Sequence, residues 1–168
     1  MAGPEPQLIW FEGGGTVPNN PDLPVVLVRG AMPGQTAAEI RARFEEMGWG
    51  GTWTYTVFDY HHFHPDAHEA LCCASGWADI LLGGPEGRLV RVEAGDLAVL
   101  PAGTGHRRIA SSPDFQICGG YPPGQSNFLT LREEPDALAR HLKTIRSVRL
   151  PESDPVFGPD GPLMRAWS

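Results

Sequence analysis

Apolar residues in this chain come in short runs bounded by glycine and proline, and in only two places at helical spacing. Residues 7–12 form an apolar run closed by the glycines at 13–15, and residues 25–28 are continuously apolar, as in a strand covered on both faces. The stretch 52–64, rich in aromatic and β-branched residues, reads as one long strand. Side-chain alternation puts Phe58, Tyr60, His62 and His64 on its inner face and Val57, Asp59, His61 and Phe63 on the outer. Residues 70–73, 78–82, 88–93, 97–100 and 115–118 bring the total to about eight short strands at barrel spacing. Thr36 and Glu39 form a capping box, after which Ala37, Ile40, Phe44 and Met47 share a helical face that Gly48 ends. A second helix is expected over 135–145, with Leu138, Leu142 and Ile145 on one face behind an acidic first turn. The tail beyond Pro151 reads as an extended arm ending in Leu163, Met164 and Trp167.

Composition supports the all-β reading. The 168 residues include 21 glycines and 17 prolines without a fixed period, as expected of many turns between short strands in a barrel or sandwich. No linker is visible, so one domain is expected over 1–168: N-terminal strands and helix (about 1–50), barrel (about 52–130), and C-terminal helix and arm (about 131–168). A net charge of −7 and the lack of a basic stripe exclude nucleic acid and an anionic membrane surface as partners. Three cysteines make no disulfide framework, and no apolar run is long enough to span a membrane, so a cytoplasmic protein is expected. The glycines at 13–15 lack the Lys-Ser/Thr pair of a phosphate loop.

The chemistry concentrates elsewhere. Four of the six histidines, His61, His62, His64 and His68, fall together and lead into Glu69. His62 and His64 project from one face of a strand, where two imidazoles can close on one ion. His106 follows a corner built from Pro101, Gly103 and Gly105, which places it rigidly. By alternation His61 faces away, beside the ligands rather than among them; His68 is read as a neighbour able to substitute or carry a proton. Tyr60 could donate to a substrate or pack as a core phenol, Arg108 could face inward to hold an acidic group, and Cys118 is expected to be a buried inert thiol.

Together these stretches resemble the cupin superfamily. His62, His64, Glu69 and Gly76 stand in the register of its first motif, with Thr56 in place of the leading glycine. Gly95, Pro101, Gly103 and His106 match the second, with Ala110 in place of the terminal asparagine. Residues 11–21, 48–51, 59–62, 119–122 and 154–158 extend the likeness to the YjlB-type cupins, a bacterial single-domain group. The resemblance implies a double-stranded β-helix, or jelly roll, with two short helices outside it and one divalent metal ion held by His62, His64, Glu69 and His106. Three imidazoles and a carboxylate suit iron, manganese, nickel, copper, cobalt or zinc. The expected function is a metal-dependent oxygenase acting on a small organic substrate beside Phe58 and Tyr60, with Glu69 and Tyr60 as proton carriers. The alternatives are a redox-neutral isomerase, cyclase or lyase, and a non-catalytic metal or small-molecule binder. Family likeness and the apolar outer face of the long strand suggest a homodimer.

Overall fold

In the computed structural model the described residues are 4–13 and 15–168, so Gly14, the middle of the expected glycine turn, lies outside them. The described residues form eleven strands in two antiparallel sheets and three helices. The six-stranded sheet runs β1 (Gln7–Ile9), β2 (Val25–Val28), β8 (Leu97–Leu100), β5 (Glu69–Ser75), β10 (Gln116–Tyr121), β3 (Gly50–Tyr55). The five-stranded sheet runs β11 (Leu131–Arg132), β4 (His62–Phe63), β9 (His106–Ser111), β6 (Trp77–Leu82), β7 (Arg88–Glu93). The result is a mostly β double-stranded β-helix.

The continuous apolar runs have a plain cause. Val25, Leu27, Leu71, Cys73, Ala98, Leu100 and Ile117 pack between the sheets against Ile80, Leu82, Val90 and Val92. Their sequence neighbours Val26, Val28, Ala70, Cys72, Val99 and Cys118 pack on the other face, under Ile40 and Phe44 of α1 (Ala37–Glu46) and under Leu163 and Trp167 of the tail. A sheet covered on both sides needs apolar residues at successive positions. The capping box forms as expected: the Glu39 amide donates to Thr36 Oγ1 at 3.2 Å and the Thr36 amide to Glu39 at 3.0 Å.

Several expectations are corrected. The long strand over 52–64 is broken, because β3 pairs with β10 in one sheet while β4 pairs with β9 and β11 in the other, and the chain changes sheet between them. Alternation cannot be carried across that crossing. Val57, expected outside, is therefore buried in the core, whereas Phe58 is 40% exposed. Strands β9 and β11 were not expected. Helix α2 (Ala137–Ser147) begins after Asp136 in a left-handed conformation (φ 55°) and has no acidic residue in its first turn. The tail is no extended arm: buried Asp154 accepts the amides of Val156, Phe157 and Leu163 at 2.8–3.0 Å, which folds the chain back into α3 (Pro162–Ala166). Phe63 is covered by Val17, Leu131 and Ala137, so the outer face of β4 needs no second subunit.

Candidate metal centre

His62 lies on β4 and is paired directly with His106, the first residue of β9. His64 follows the end of β4, and Glu69 opens β5 in the facing sheet. The corner ahead of His106 is held from several directions. The Gly103 amide donates to the His64 carbonyl at 2.8 Å, tying the two histidine stretches together. Asn20 donates to the Ala102 carbonyl at 3.0 Å, and Asn19 Oδ1 accepts the Gly105 amide at 3.0 Å. Gly103 has φ +89°, and a Cβ there would stand 2.6 Å from Ile145 Cδ1 and 2.8 Å from the Asn19 carbonyl oxygen, so only glycine fits.

The three histidines His62, His64 and His106 are buried and offer ligand atoms within 4.8 Å of one another. Their outer nitrogens are all committed: Nδ1 of His62 bonds the Tyr60 carbonyl at 3.0 Å, that of His64 the Leu129 carbonyl at 2.9 Å, and that of His106 the Thr104 carbonyl at 3.0 Å. A carbonyl only accepts, so each Nδ1 carries its ring proton and, in the neutral ring, each Nε2 presents a lone pair. Two of them meet Glu69, whose Oε2 lies 3.5 Å from His64 Nε2 and whose Oε1 lies 3.2 Å from His106 Nε2. Acceptors thus face acceptors, and buried Glu69 Oε1 has no hydrogen-bond donor among the described residues. Such a cluster fits a cation at its centre.

The electrostatics agree. Burial pushes His62 down to about 3, and the neighbouring His106 adds to the shift. Burial alone would lower His64 as well, but the Glu69 carboxylate overrides it and raises that imidazole. Burial would raise Glu69; His64 and His106 hold it well below the usual carboxylate range. The site therefore keeps a buried negative charge that favours positive charge among the imidazoles, either a proton on His64 or a cation in its place.

The phenol beside that carboxylate is Tyr121, which the sequence reading passed over. Its hydroxyl donates to Glu69 Oε2 at 2.6 Å and accepts from Trp53 Nε1 at 2.8 Å. Burial, then the Glu69 charge, raise the Tyr121 pKa, which keeps the hydroxyl protonated. A cavity of about 330 Å³ opens onto the cluster, lined by the three histidines, Glu69, Tyr121 and a mostly apolar wall that includes Trp53, Phe58 and Phe128.

The other sequence candidates fall around this centre. Tyr60 is not among the cavity-lining residues; it stacks on Phe58 at 5.1 Å, and Arg132 lies over its ring at 3.7 Å. Arg108 likewise does not line the cavity, because its Nε donates to the Val57 carbonyl at 3.0 Å. His61 is buried, and burial lowers its pKa. His68 accepts the Ala102 amide on Nδ1 at 2.8 Å, the reverse of the tautomer at the cluster, and packs on Trp167 at 4.8 Å. Cys118 is buried under α1, where its thiol approaches the Ala37 carbonyl at 3.6 Å.

No family model matches the chain. It is 38% identical over 165 residues to the protein YjlB of Bacillus subtilis, covering 97% of each. Among solved structures it is similar to a double-stranded β-helix protein of Klebsiella pneumoniae (18% identity, 76% of this chain and 79% of that one, TM-score 0.39). It is also similar to acireductone dioxygenase of Bacillus anthracis with cadmium in its active centre (18% identity, 65% and 80%, TM-score 0.39).

Proposed function

The chain belongs to the YjlB-like cupins, and from that premise we propose that it is a metal-dependent oxygenase acting on a small organic molecule in the cavity beside His62, His64, Glu69 and His106. The observation that carries this reading is the shared tautomer: three carbonyls hold three clustered imidazoles by Nδ1, and the Nε2 atoms of His64 and His106 lie against one carboxylate. A first-row transition ion, when bound, supplies Lewis acidity and, if it is iron or manganese, a redox couple for dioxygen. The protein's own part is positioning. Tyr121 donates to Glu69 Oε2 and leaves Oε1 toward His106. The apolar wall gives the body of a substrate a surface to lie against beside the histidines.

A redox-neutral isomerase, cyclase or lyase is the second reading, and the Tyr121–Glu69 pair favours it, since a hydroxyl 2.6 Å from a buried carboxylate can hand a proton to a substrate and recover it. The oxygenase ranks first because, besides the histidines and the Glu69–Tyr121 pair, the described cavity wall carries one further acid–base group, the Tyr55 phenol, which leaves most of the chemistry to the metal. The reading includes a cytoplasmic homodimer, for which exposed Leu8 and Trp10 at the β1 edge offer an apolar face, checked by light scattering. The deciding experiment is metal analysis of protein purified without added metal, followed by oxygen uptake of the iron- or manganese-loaded protein over a panel of small organic compounds. Turnover without oxygen uptake selects the second reading. Stoichiometric metal in both His62→Ala and His106→Ala proteins would defeat the ligand assignment.

A further inference from the structure

The cavity carries information about what enters it, because its wall and its surrounding charges are specified separately. Among the described residues no lysine or arginine lines it, and its neutral polar wall groups include the hydroxyls of Thr56 and Thr130. Three arginines stand close by, yet each is turned to the loop between β3 and β4. Arg107 Nε donates to the Asp59 carbonyl at 2.9 Å and Arg108 Nε to the Val57 carbonyl at 3.0 Å. Arg132 lies over Tyr60, behind the Phe58 ring. The Arg108 amide adds a bond to the Phe58 carbonyl at 2.9 Å, so the loop that presents Phe58 is fastened by its backbone.

Aromatic surface starts next to the imidazoles. Phe58 meets His62 edge-on at 5.1 Å, and Phe128 meets His64 at 4.6 Å and Tyr121 at 4.2 Å. Phe58 and Tyr55 line the cavity while remaining 40% and 65% exposed, apolar surface that a ligand would cover. A dianion placed here would face the Glu69 carboxylate, and among the described residues no guanidinium or ammonium lines the cavity to offset it.

We propose that the cavity takes a molecule with one small oxygen-bearing, metal-binding head and a flat, uncharged apolar body lying against Phe58, Phe128 and Trp53, and that it rejects small dianions. The inference rests on the metal-centre reading for the head alone.

The test compares three probes on the zinc-loaded protein by calorimetry: benzohydroxamate and acetohydroxamate, which share a chelating head, and oxalate. In parallel, phenol is titrated into metal-free protein while the Trp53 indole N–H resonance is followed by NMR. Benzohydroxamate is expected to bind roughly tenfold or more tightly than acetohydroxamate, the order expected from burying a phenyl ring, and oxalate more weakly than either. Phenol is expected to shift the Trp53 resonance. The Phe58→Ala protein should lose much of the phenyl advantage. Equal affinity for the two hydroxamates, or oxalate as the tightest probe, overturns the proposal. If the protein takes up no zinc, the metal reading falls, and the phenol titration decides this proposal by itself: an unmoved Trp53 resonance sinks it.

Discussion

The Tyr121 hydroxyl donates to Glu69 Oε2 across 2.6 Å, and its direction is set from behind by the Trp53 indole N–H at 2.8 Å. Indole only donates, so the Tyr121 proton is sent toward the carboxylate. Removing it in Tyr121→Phe leaves a buried carboxylate oxygen short of its donor. The expected loss is about 1–3 kcal/mol of stability, with metal affinity lowered about 10–100-fold, as is usual when the group orienting a ligand is removed. Thermal melts and competition against a chelator check both. Trp53→Phe, which frees the hydroxyl to rotate but keeps it, should fall between the wild type and Tyr121→Phe.

Metal should stabilise the fold by an amount that grows with the logarithm of free ion above Kd. With free ion at about a hundred times Kd, the gain is about 2.7 kcal/mol, read as a rise in Tm over chelator-treated protein. His62→Ala and His106→Ala should abolish that rise. An equal rise in either variant points to binding elsewhere.

His68 predicts a pH effect with a definite sign. Burial pushes its pKa down to about 4 from an ordinary value near 6.5. The native state therefore holds this proton less well than the unfolded chain does, and the stability is fully present above 6.5 and lost as pH falls through 6.5 toward 4. The full loss amounts to about 3 kcal/mol at 1.36 kcal/mol per unit. In metal-free protein His62 shifts in the same direction, so the informative quantity is the difference between wild type and His68→Gln in denaturant midpoints from pH 7 to 4.5. The variant should lose less stability on acidification. Parallel curves would contradict the assignment.

The corner before His106 shows what could and could not be read in advance. Gly103 and His106 were legible from the turn chemistry and the motif spacing. Asn19 and Asn20 were legible only as loop residues, because their partners at Glu12, Gly83, Ala102 and Gly105 include residues more than sixty positions away. Tyr121 was missed for the same reason: it ends β10, and its proximity to Glu69 comes from β10 pairing with β5. Local pattern gave the two-faced burial of β2 and the capped α1, where neighbours in sequence decide the outcome. It failed between Tyr55 and His62, where the chain leaves one sheet for the other. Accordingly, Asn19→Ala removes three hydrogen bonds and is expected to cost about 2 kcal/mol or more. Gly103→Ala should cost at least as much and lower metal occupancy, because the corner carries His106. Chemical denaturation and metal analysis of the two variants test this.

The three cysteines yield a prediction that separates buried thiols from reactive ones. Cys72 and Cys118 lie under α1 and the tail, while Cys73 lies in the core between the sheets. Burial raises all three pKa values, that of Cys73 to about 12, and the Cys72 thiol is raised further. The thiolate is the reactive form, so at pH 8 the native protein should show almost no reaction with a disulfide reagent. In denaturant all three should react. Because their protection comes from the packing of α1 and the tail over the sheet, Trp167→Ala, which also removes the indole N–H bond to the Pro24 carbonyl at 2.9 Å, should expose Cys72 and Cys118 sooner than Cys73. Mass spectrometry of partially labelled protein distinguishes that order from uniform labelling, which would mean that the two faces of the sheet open together.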